Sequence, residues 1–469
     1  MQTQHTAHDL LSLALATVFA LGTMCFHAGT ASAASPSSPT TTPATAATES
    51  ALTLDTAEQR AVVRGLAAVL RSSYLDPVKG DDFAKDLERF GAESLSEPLK
   101  PGDLAVLLTE QLYALSGDLH FHVGVDAEWI AEQKSADDPA EQQKLRLQDR
   151  EEGERGNFFF DQVKVLEGNI GYLSFTAFAD PDLGSGTLAA AMAFLGHCDA
   201  YVVDLRNNNG GYLEMAQLLA SYFLADVDQL LFDYYTVEDG RRIERRQWVL
   251  PSVPGERRPG APLYILTSST TFSAAEWFAY VLGGLGRAVV VGERTAGGAH
   301  PVDRRAIDDR FVVNVPIGEI RGPVEKGDFE GVGVEPTVSA PARDALHLAH
   351  LRAIDALSEA HPERRDDHRW LRPRVEARLD PYVLEPERGR ALVGDYGGRT
   401  VSYEDGTLYY SWNGRSKIAL IPLSSSLFAL EGLDAFRFRV VEAGGTVTAL
   451  ERIYADGTIR RREKSVPQP

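Results

Sequence analysis

The chain has 469 residues, is 44% apolar and 24% charged, and carries a formal net charge of −20, a globular composition long enough for two or three packed domains. That acidic balance excludes an unassisted nucleic-acid or anionic-membrane partner, because both surfaces would repel it. Residues 10 to 24 form an apolar run too short to span a bilayer, followed by Ala31-Ser32-Ala33, a small-residue cleavage pattern. A signal peptide over 1–33 is therefore predicted, with export to the periplasm or the extracellular space, although Met1 to Asp9 carries no Lys or Arg. Met24 before Cys25 does not suit a lipid anchor, and cleavage leaves Cys198 as the single cysteine, so neither an intrachain disulfide nor a cysteine-based metal site is expected. No transmembrane helix, metal or cofactor is predicted.

Residues 34–50, rich in Ser, Thr, Pro and Ala, read as a disordered linker. Over 51–118 apolar residues recur at three- and four-residue spacing, as in Ala61 to Leu70 and Leu104 to Leu115, which predicts a helical subdomain. The charged stretch 127–157 predicts an exposed helix or flap. Within 119–345, short apolar runs (Ile170–Phe175, Ala200–Leu205, Leu263–Leu266, Val289–Val291) alternate with helical patterns (Leu213–Ala225, Ser273–Leu285). This alternation predicts βαβ units and a largely parallel sheet, with chemistry at the carboxyl ends of its strands. The basic runs Arg241 to Arg246 and Arg257-Arg258 read as solvated faces of a hairpin or loop. An apolar helix near 343–358 and a charged linker fill 346–382, and 383–469 consists of short β-prone segments broken by Gly, Asp and Asn, predicting a small antiparallel β-domain, barrel or sandwich.

Ser273 ends the turn after the Leu263–Leu266 run and opens a helical pattern. A serine so placed lifts its hydroxyl clear of the sheet, with a helix-start N–H beside it to bind an oxyanion. Ser273 and Glu276 also spell a capping box. Three further stretches bear on the choice: Leu115 to His122, which supplies His120 and His122; Asp204-Leu-Arg-Asn-Asn-Asn-Gly-Gly211, a glycine turn after a buried strand; and Phe329-Glu330-Gly-Val-Gly-Val-Glu335-Pro336.

Together with Thr267 to Glu276 and Gly292 to Gly298, these motifs resemble the C-terminal-processing (tail-specific) serine peptidase family over roughly residues 55–345, in particular its branch with the tricorn protease core and interphotoreceptor retinoid-binding protein. The resemblance implies an α/β fold with a crotonase-like (ClpP/crotonase) core, and a serine-type peptidase acting on peptides or protein tails through an acyl-enzyme. The processing-protease branch pairs its serine with a lysine where this chain has Gly297-Gly298, and no lysine occurs between Ser273 and Lys326. The tricorn-like solution, a histidine base steadied by a carboxylate, follows triad logic. Carried over residue by residue, it implies Ser273 as nucleophile, His120 as general base and Glu330 as the orienting carboxylate, with the N–H groups of Ala274 and of Gly210 or Gly211 as the oxyanion hole.

His122 competes with His120, alternation placing both on one strand face. His300 is a candidate for the substrate cleft, Glu335 a surface residue, Asp204 with Arg206 a structural pair, and Ser116 receives no role. About 45 residues between His122 and Ile170 are too few for a peptide-tail-binding PDZ module. The competing reading is a non-catalytic binder of hydrophobic ligands on the same fold; an esterase is a third.

Overall fold

The computed structural model describes residues 53–135, 138–238, 241–322 and 328–465; the predicted signal peptide and linker lie outside them. The chain divides into two compact units. One comprises the residues up to Val163 with Leu173–Gly196 and Val203–Ser339; the other comprises Lys164–Tyr172, His197–Val202 and Ala340–Pro469.

The chain begins with three helices, α1 (Thr56–Ser73), α2 (Pro77–Glu93) and α3 (Pro101–Ser116). Their starts are written locally. Asp55 caps α1 in a full capping box with Glu58, Asp76 caps α2, and Pro77 and Pro101 sit where a missing N–H costs nothing. Gly117, at φ 72°, ends α3 in the left-handed conformation and turns the chain toward Asp118 and His120. The apolar faces (Val62, Leu66, Leu70, Leu87, Leu104, Leu108, Leu112) bury against Phe121 and Val123 of the segment that follows, and against Phe311, Val313 and Val315. That packing anchors the histidine-bearing turn.

Strand β1 (His122–Val125) leads into α4 (Ala127–Lys134) and α5 (Pro139–Arg155), the latter with no buried residue, as its charge predicts. Next come β2 (Phe160–Leu166), β3 (Ile170–Phe175), α6 (Pro181–Phe194), β4 (Ala200–Asp204) and α7 (Leu213–Tyr222). The hairpin β5 (Leu230–Glu238) and β6 (Arg241–Trp248) carries the first basic run on its exposed side. Arg257 departs from the prediction: it donates to the carbonyls of Ser221, Leu224 and Leu250, so it binds main chain instead of facing solvent.

Strand β7 (Leu263–Thr267), α8 (Ala274–Gly284), β8 (Val289–Gly292), β9 (Val302–Ala306), β10 (Phe311–Pro316), β11 (Gly318–Arg321) and β12 (Val338–Ser339) complete the region. The main sheet has the order β12-β8-β7-β4-β3-β2, with β7, β8 and β12 parallel. Strands β4 and β7 are buried at every residue, which is why they read as unbroken apolar runs. The antiparallel sheet β1-β10-β9 sets His122 opposite Asn314.

The second unit holds α9 (Ala342–Ala360) and α10 (Arg365–Leu379). The second of these corrects the predicted charged linker. Its charges are paired along and between helices, Arg372 with Asp355 at 2.9 Å and with Glu376 at 2.8 Å, so a sequence that looks like a solvated tether folds as a helix. A short helix α11 (Pro386–Leu392) precedes eight antiparallel strands in sequential order: β13 (Gly394–Asp395), β14 (Arg399–Glu404), β15 (Thr407–Trp412), β16 (Ile418–Pro422), β17 (Leu427–Leu430), β18 (Leu433–Ala443), β19 (Thr446–Ile453) and β20 (Ile459–Glu463). The sheet curls until its ends meet, the Ser465 N–H donating to the Asp395 carbonyl at 2.7 Å. Tyr396, Val401, Leu408, Tyr410, Phe428 and Phe438 are among its enclosed core residues.

Candidate active site

Ser273 stands between β7 and α8 with φ 53° and ψ −123°. A non-glycine residue there carries strain on the order of 1–3 kcal/mol, held only if the surroundings over-determine it. They do. The Ser273 N–H donates to Glu276 Oε2 at 2.9 Å, and the same carboxylate accepts from the Gly297 N–H (2.7 Å), the Gly298 N–H (2.8 Å) and Thr295 Oγ1 (2.5 Å). Phe272 N–H donates to the Asn208 carbonyl, and Thr271 Oγ1 to the Leu205 carbonyl at 2.8 Å. Ser273 and Glu276 face each other as a capping box, in which Ser273 Oγ can only accept from the Glu276 N–H, so the hydroxyl proton is not spent on the cap. The capping reading holds for both residues, and it leaves the hydroxyl proton available to a base. Glu276 is fully buried; burial pushes its pKa up to about 7, against the four hydrogen bonds that favour its ionised form.

The turn after β4 packs directly on this one. A Cβ added to Gly210 (φ 99°) would stand 2.6 Å from Ser273 Cβ and 3.0 Å from Ala274 N, and one added to Gly211 (φ 121°) would overlap the Phe178 carbonyl. Only glycine fits either position. The two glycines are not equivalent as donors. Asn208 Oδ1 accepts from the Gly210 N–H at 2.9 Å, while the N–H groups of Gly211 and Ala274 form no hydrogen bond among the described residues. Asp204 and Arg206 form the expected structural pair at 2.6 Å.

The histidines come from the other side. His120 lies in the turn before β1, not on the strand with His122, so the alternation argument fails for it. Its ring packs on Phe272, centroids 4.5 Å apart, and a Cβ on Gly298 would overlap Phe272 and come within 2.7 Å of His120 Cε1. Gly298 therefore admits the imidazole next to the serine turn. His120 is buried and neither ring nitrogen completes a hydrogen bond. Nδ1 lies 3.3 Å from Asp118 Oδ1, an ion-pair distance off the line a hydrogen bond needs, and that oxygen accepts the His120 main-chain N–H at 2.8 Å.

Asp118, 3% exposed, is the residue the motif reading passed over. Its second oxygen binds His300 Nδ1 at 2.6 Å, so one carboxylate bridges two imidazoles. Burial works to raise the Asp118 pKa, but the close approach of His120, the His300 hydrogen bond and the charges of both rings overcome it and hold the carboxyl well below the usual range. At His300 burial lowers the pKa, and the Asp118 hydrogen bond with the charges of Glu330, Asp118 and Asp328 outweighs it, so the net direction is upward. Glu330 meets the loop: Oε2 accepts from the Ala299 N–H (2.6 Å) and the His300 N–H (3.2 Å) and lies 3.6 Å from His300 Nδ1, while Oε1 is buried without a partner. Burial and then Asp118 raise its pKa.

Asp118, His300 and Glu330 bring one ligand atom each within 4.8 Å of one another, a spacing a metal ion could use, but the short Asp118–His300 hydrogen bond already engages two of those atoms. A cavity of about 590 Å³ opens beside His300 and Asp328, lined also by Tyr74, Asp76, Tyr235 and Arg242. His122 sits on β1 opposite Asn314; burial and then the nearby Arg304 lower its pKa. Ser116 caps α3, accepting the Asp118 N–H at 3.0 Å, and Glu335 pairs with Arg294 at the surface.

Ser273, His300 and Glu330 lie in a segment with known relatives, which Asp118 and His120 precede in the chain. Residues 169–340 match the model of peptidase family S41, a family of serine-type peptidases, and the resemblance to C-terminal-processing peptidases read from the motifs is shown by this match and by curated relatives. A carboxyl-terminal-processing protease of Picosynechococcus sp. is 32% identical over 145 residues, covering 30% of this chain and 32% of that protein. Carboxyl-terminal-processing peptidase 1, chloroplastic, of Arabidopsis thaliana is 31% identical over 189 residues, 40% of this chain and 36% of that one. The chain thus spans about a third of the length of these curated relatives. Among solved structures, a photosystem II D1 C-terminal processing protease aligns with TM-score 0.31 and 23% identity over 37% of this chain and 43% of that chain.

Proposed function

We propose that the chain is an exported serine peptidase with a crotonase-like core, in which Ser273 attacks the substrate carbonyl and His120 takes its proton. The observation that carries this reading is the strained Ser273 turn, tied down through its main chain while its hydroxyl proton is left to a base and the adjoining Ala274 N–H has no partner among the described residues. Attack forms a tetrahedral oxyanion for which the N–H groups of Ala274 and Gly211 are the donors; Gly210 serves by shape. The protonated His120 returns its proton to the leaving amine, and water, activated by the same imidazole, releases the acyl group. Asp118 steadies the imidazolium from Nδ1. Glu330 acts one step back, holding the loop that carries His300 and supplying a second negative charge to the cluster.

The tricorn-like branch fits a site without a dyad lysine, and recognition without a PDZ module places substrate binding in the core region. The charged groups that line the cavity, Asp76, Arg242, Glu319 and Asp328 among them, suit a peptide better than the hydrophobic ligand of the competing reading. The test is intact-mass analysis after exposure to a fluorophosphonate. A stoichiometric adduct on the wild type, absent in Ser273→Ala and strongly slowed in His120→Ala, is expected; folded wild-type protein that takes no adduct would overturn the reading.

A further inference from the structure

In the C-terminal sheet the pleat alternates, so inward residues can be read from the enclosed ones. Val401 and Leu450 face the core, which turns Arg399 on β14 and Arg452 on β19 to the same side near one end of the curl, and Arg460 on β20 is the direct cross-strand partner of Arg452. Tyr410, Phe436 and Tyr454 share this end: the Arg452 guanidinium lies 5.3 Å from the Phe436 ring centroid and 5.8 Å from that of Tyr454, which Arg460 approaches to 5.5 Å. Burial and then the Arg399 cation lower the Arg452 pKa; Tyr454 and Tyr410 oppose that shift, and the Arg460 cation adds a smaller push in the same downward direction. Asp456, in the exposed hairpin turn, is the acid that feels Arg460.

Cations set side by side repel, and a buried guanidinium without an acceptor loses hydration unreplaced. Arg399 is 8% exposed, its Nη1 donating to the Gly397 carbonyl at a long 3.4 Å and its Nε without a partner, and the Arg452 Nε is buried and unpartnered as well. Among the described residues, none of Arg399, Arg452 and Arg460 forms an ion pair. In a chain of net charge −20, an acid-poor knot of arginines walled by aromatic rings is a place built for an acceptor from outside, since guanidinium forks match carboxylate and phosphate oxygens and the ring faces accept an apolar body. Mouths of closed sheets are also common ligand sites.

We propose that this mouth of the C-terminal sheet binds an organic anion, a carboxylate or phosphate carried on an apolar or aromatic body, with Arg399, Arg452 and Arg460 holding the charge. This is independent of the peptidase reading. Titration calorimetry on the full chain, with phenylacetate, phenyl phosphate, inorganic phosphate and sodium chloride at equal ionic strength, tests it. Saturable binding of phenylacetate or phenyl phosphate is expected, about tenfold or more weaker in Arg452→Met and unchanged in Ser273→Ala; which probe binds decides between carboxylate and phosphate. Should Arg452→Met fail to fold, Arg460→Gln, at an exposed strand position, is expected to weaken binding several-fold. Heats no larger than those of sodium chloride, or equal affinity in the arginine variants, would overturn the proposal. Inorganic phosphate binding as tightly as phenyl phosphate would remove the aromatic half of it.

Discussion

The two halves of the candidate site are built on opposite principles. The Ser273 turn is almost fully satisfied: Glu276 collects four donors, Asn208 and the threonines bind main chain, and the strain at Ser273 is held by that network. The histidine cluster is short of partners: both ring nitrogens of His120 and one oxygen of Glu330 are buried and unpaired, and three carboxylates crowd His300. The contrast teaches that Ser273, the proposed nucleophile, is positioned by backbone and His120, the proposed base, by packing against Phe272 and Gly298, so the base half depends more on what occupies the cleft. Catalytic hydrogen bonds often tighten only when substrate is present.

The comparison can be broken at either half. Ser273→Ala is expected to abolish fluorophosphonate labelling and reduce peptide hydrolysis by about 10⁴-fold or more, with little change in thermal stability because alanine keeps the Cβ and the backbone strain; residual labelling of the variant would place the nucleophile elsewhere. Asp118→Asn should cost about 10³-fold in kcat/KM by removing the charge that steadies the imidazolium, and a loss under tenfold would hand that role to Glu330. Gly298→Ala forces Phe272 and His120 apart, which should lower kcat by about 10²-fold while KM changes little.

Two smaller effects sharpen it. Glu276 has a folded-state pKa of about 7 against an ordinary 4.5. The folded state then holds the extra proton, so its stabilising effect is complete below pH 4.5 and is lost as pH rises to about 7, by about 3 kcal/mol at most. Glu276→Gln should flatten that slope in denaturant titrations between these limits while reducing labelling by about tenfold at high pH, because one amide cannot accept from all the donors. His300, with its pKa raised above the ordinary 6.5, contributes stability that is complete below pH 6.5 and lost as pH rises through the folded value. His300→Asn should accordingly cost more stability at pH 5.5 than at pH 9, by about 1 kcal/mol, and equal costs at both would remove the imidazolium from the account.

Much of this organisation was legible in the chain. Fully buried strands announce themselves as runs such as Leu263–Leu266, and Gly210 with Gly211 signal a turn that backbone alone can enter. Asp118 stood in the quoted motif without a role, because its value lies in touching His300, 182 residues away. Glu276 was read as a cap, which it is, but its three partners at Thr295, Gly297 and Gly298 come from a loop whose approach no local pattern records. The helix over Arg365–Leu379 was hidden by its charges, since the pairs that neutralise them lie partly on α9.

What the sequence alone determined is the set of chemical parts and their order: a strand-to-helix serine, a histidine beyond a helical subdomain, glycine turns and the lack of a dyad lysine. These follow from short-range rules of pleat, cap and turn. Which carboxylate meets which imidazole, and which glycine N–H remains open for an oxyanion, only the tertiary structure decided, because those pairings depend on distances of a few ångströms between segments far apart in the chain.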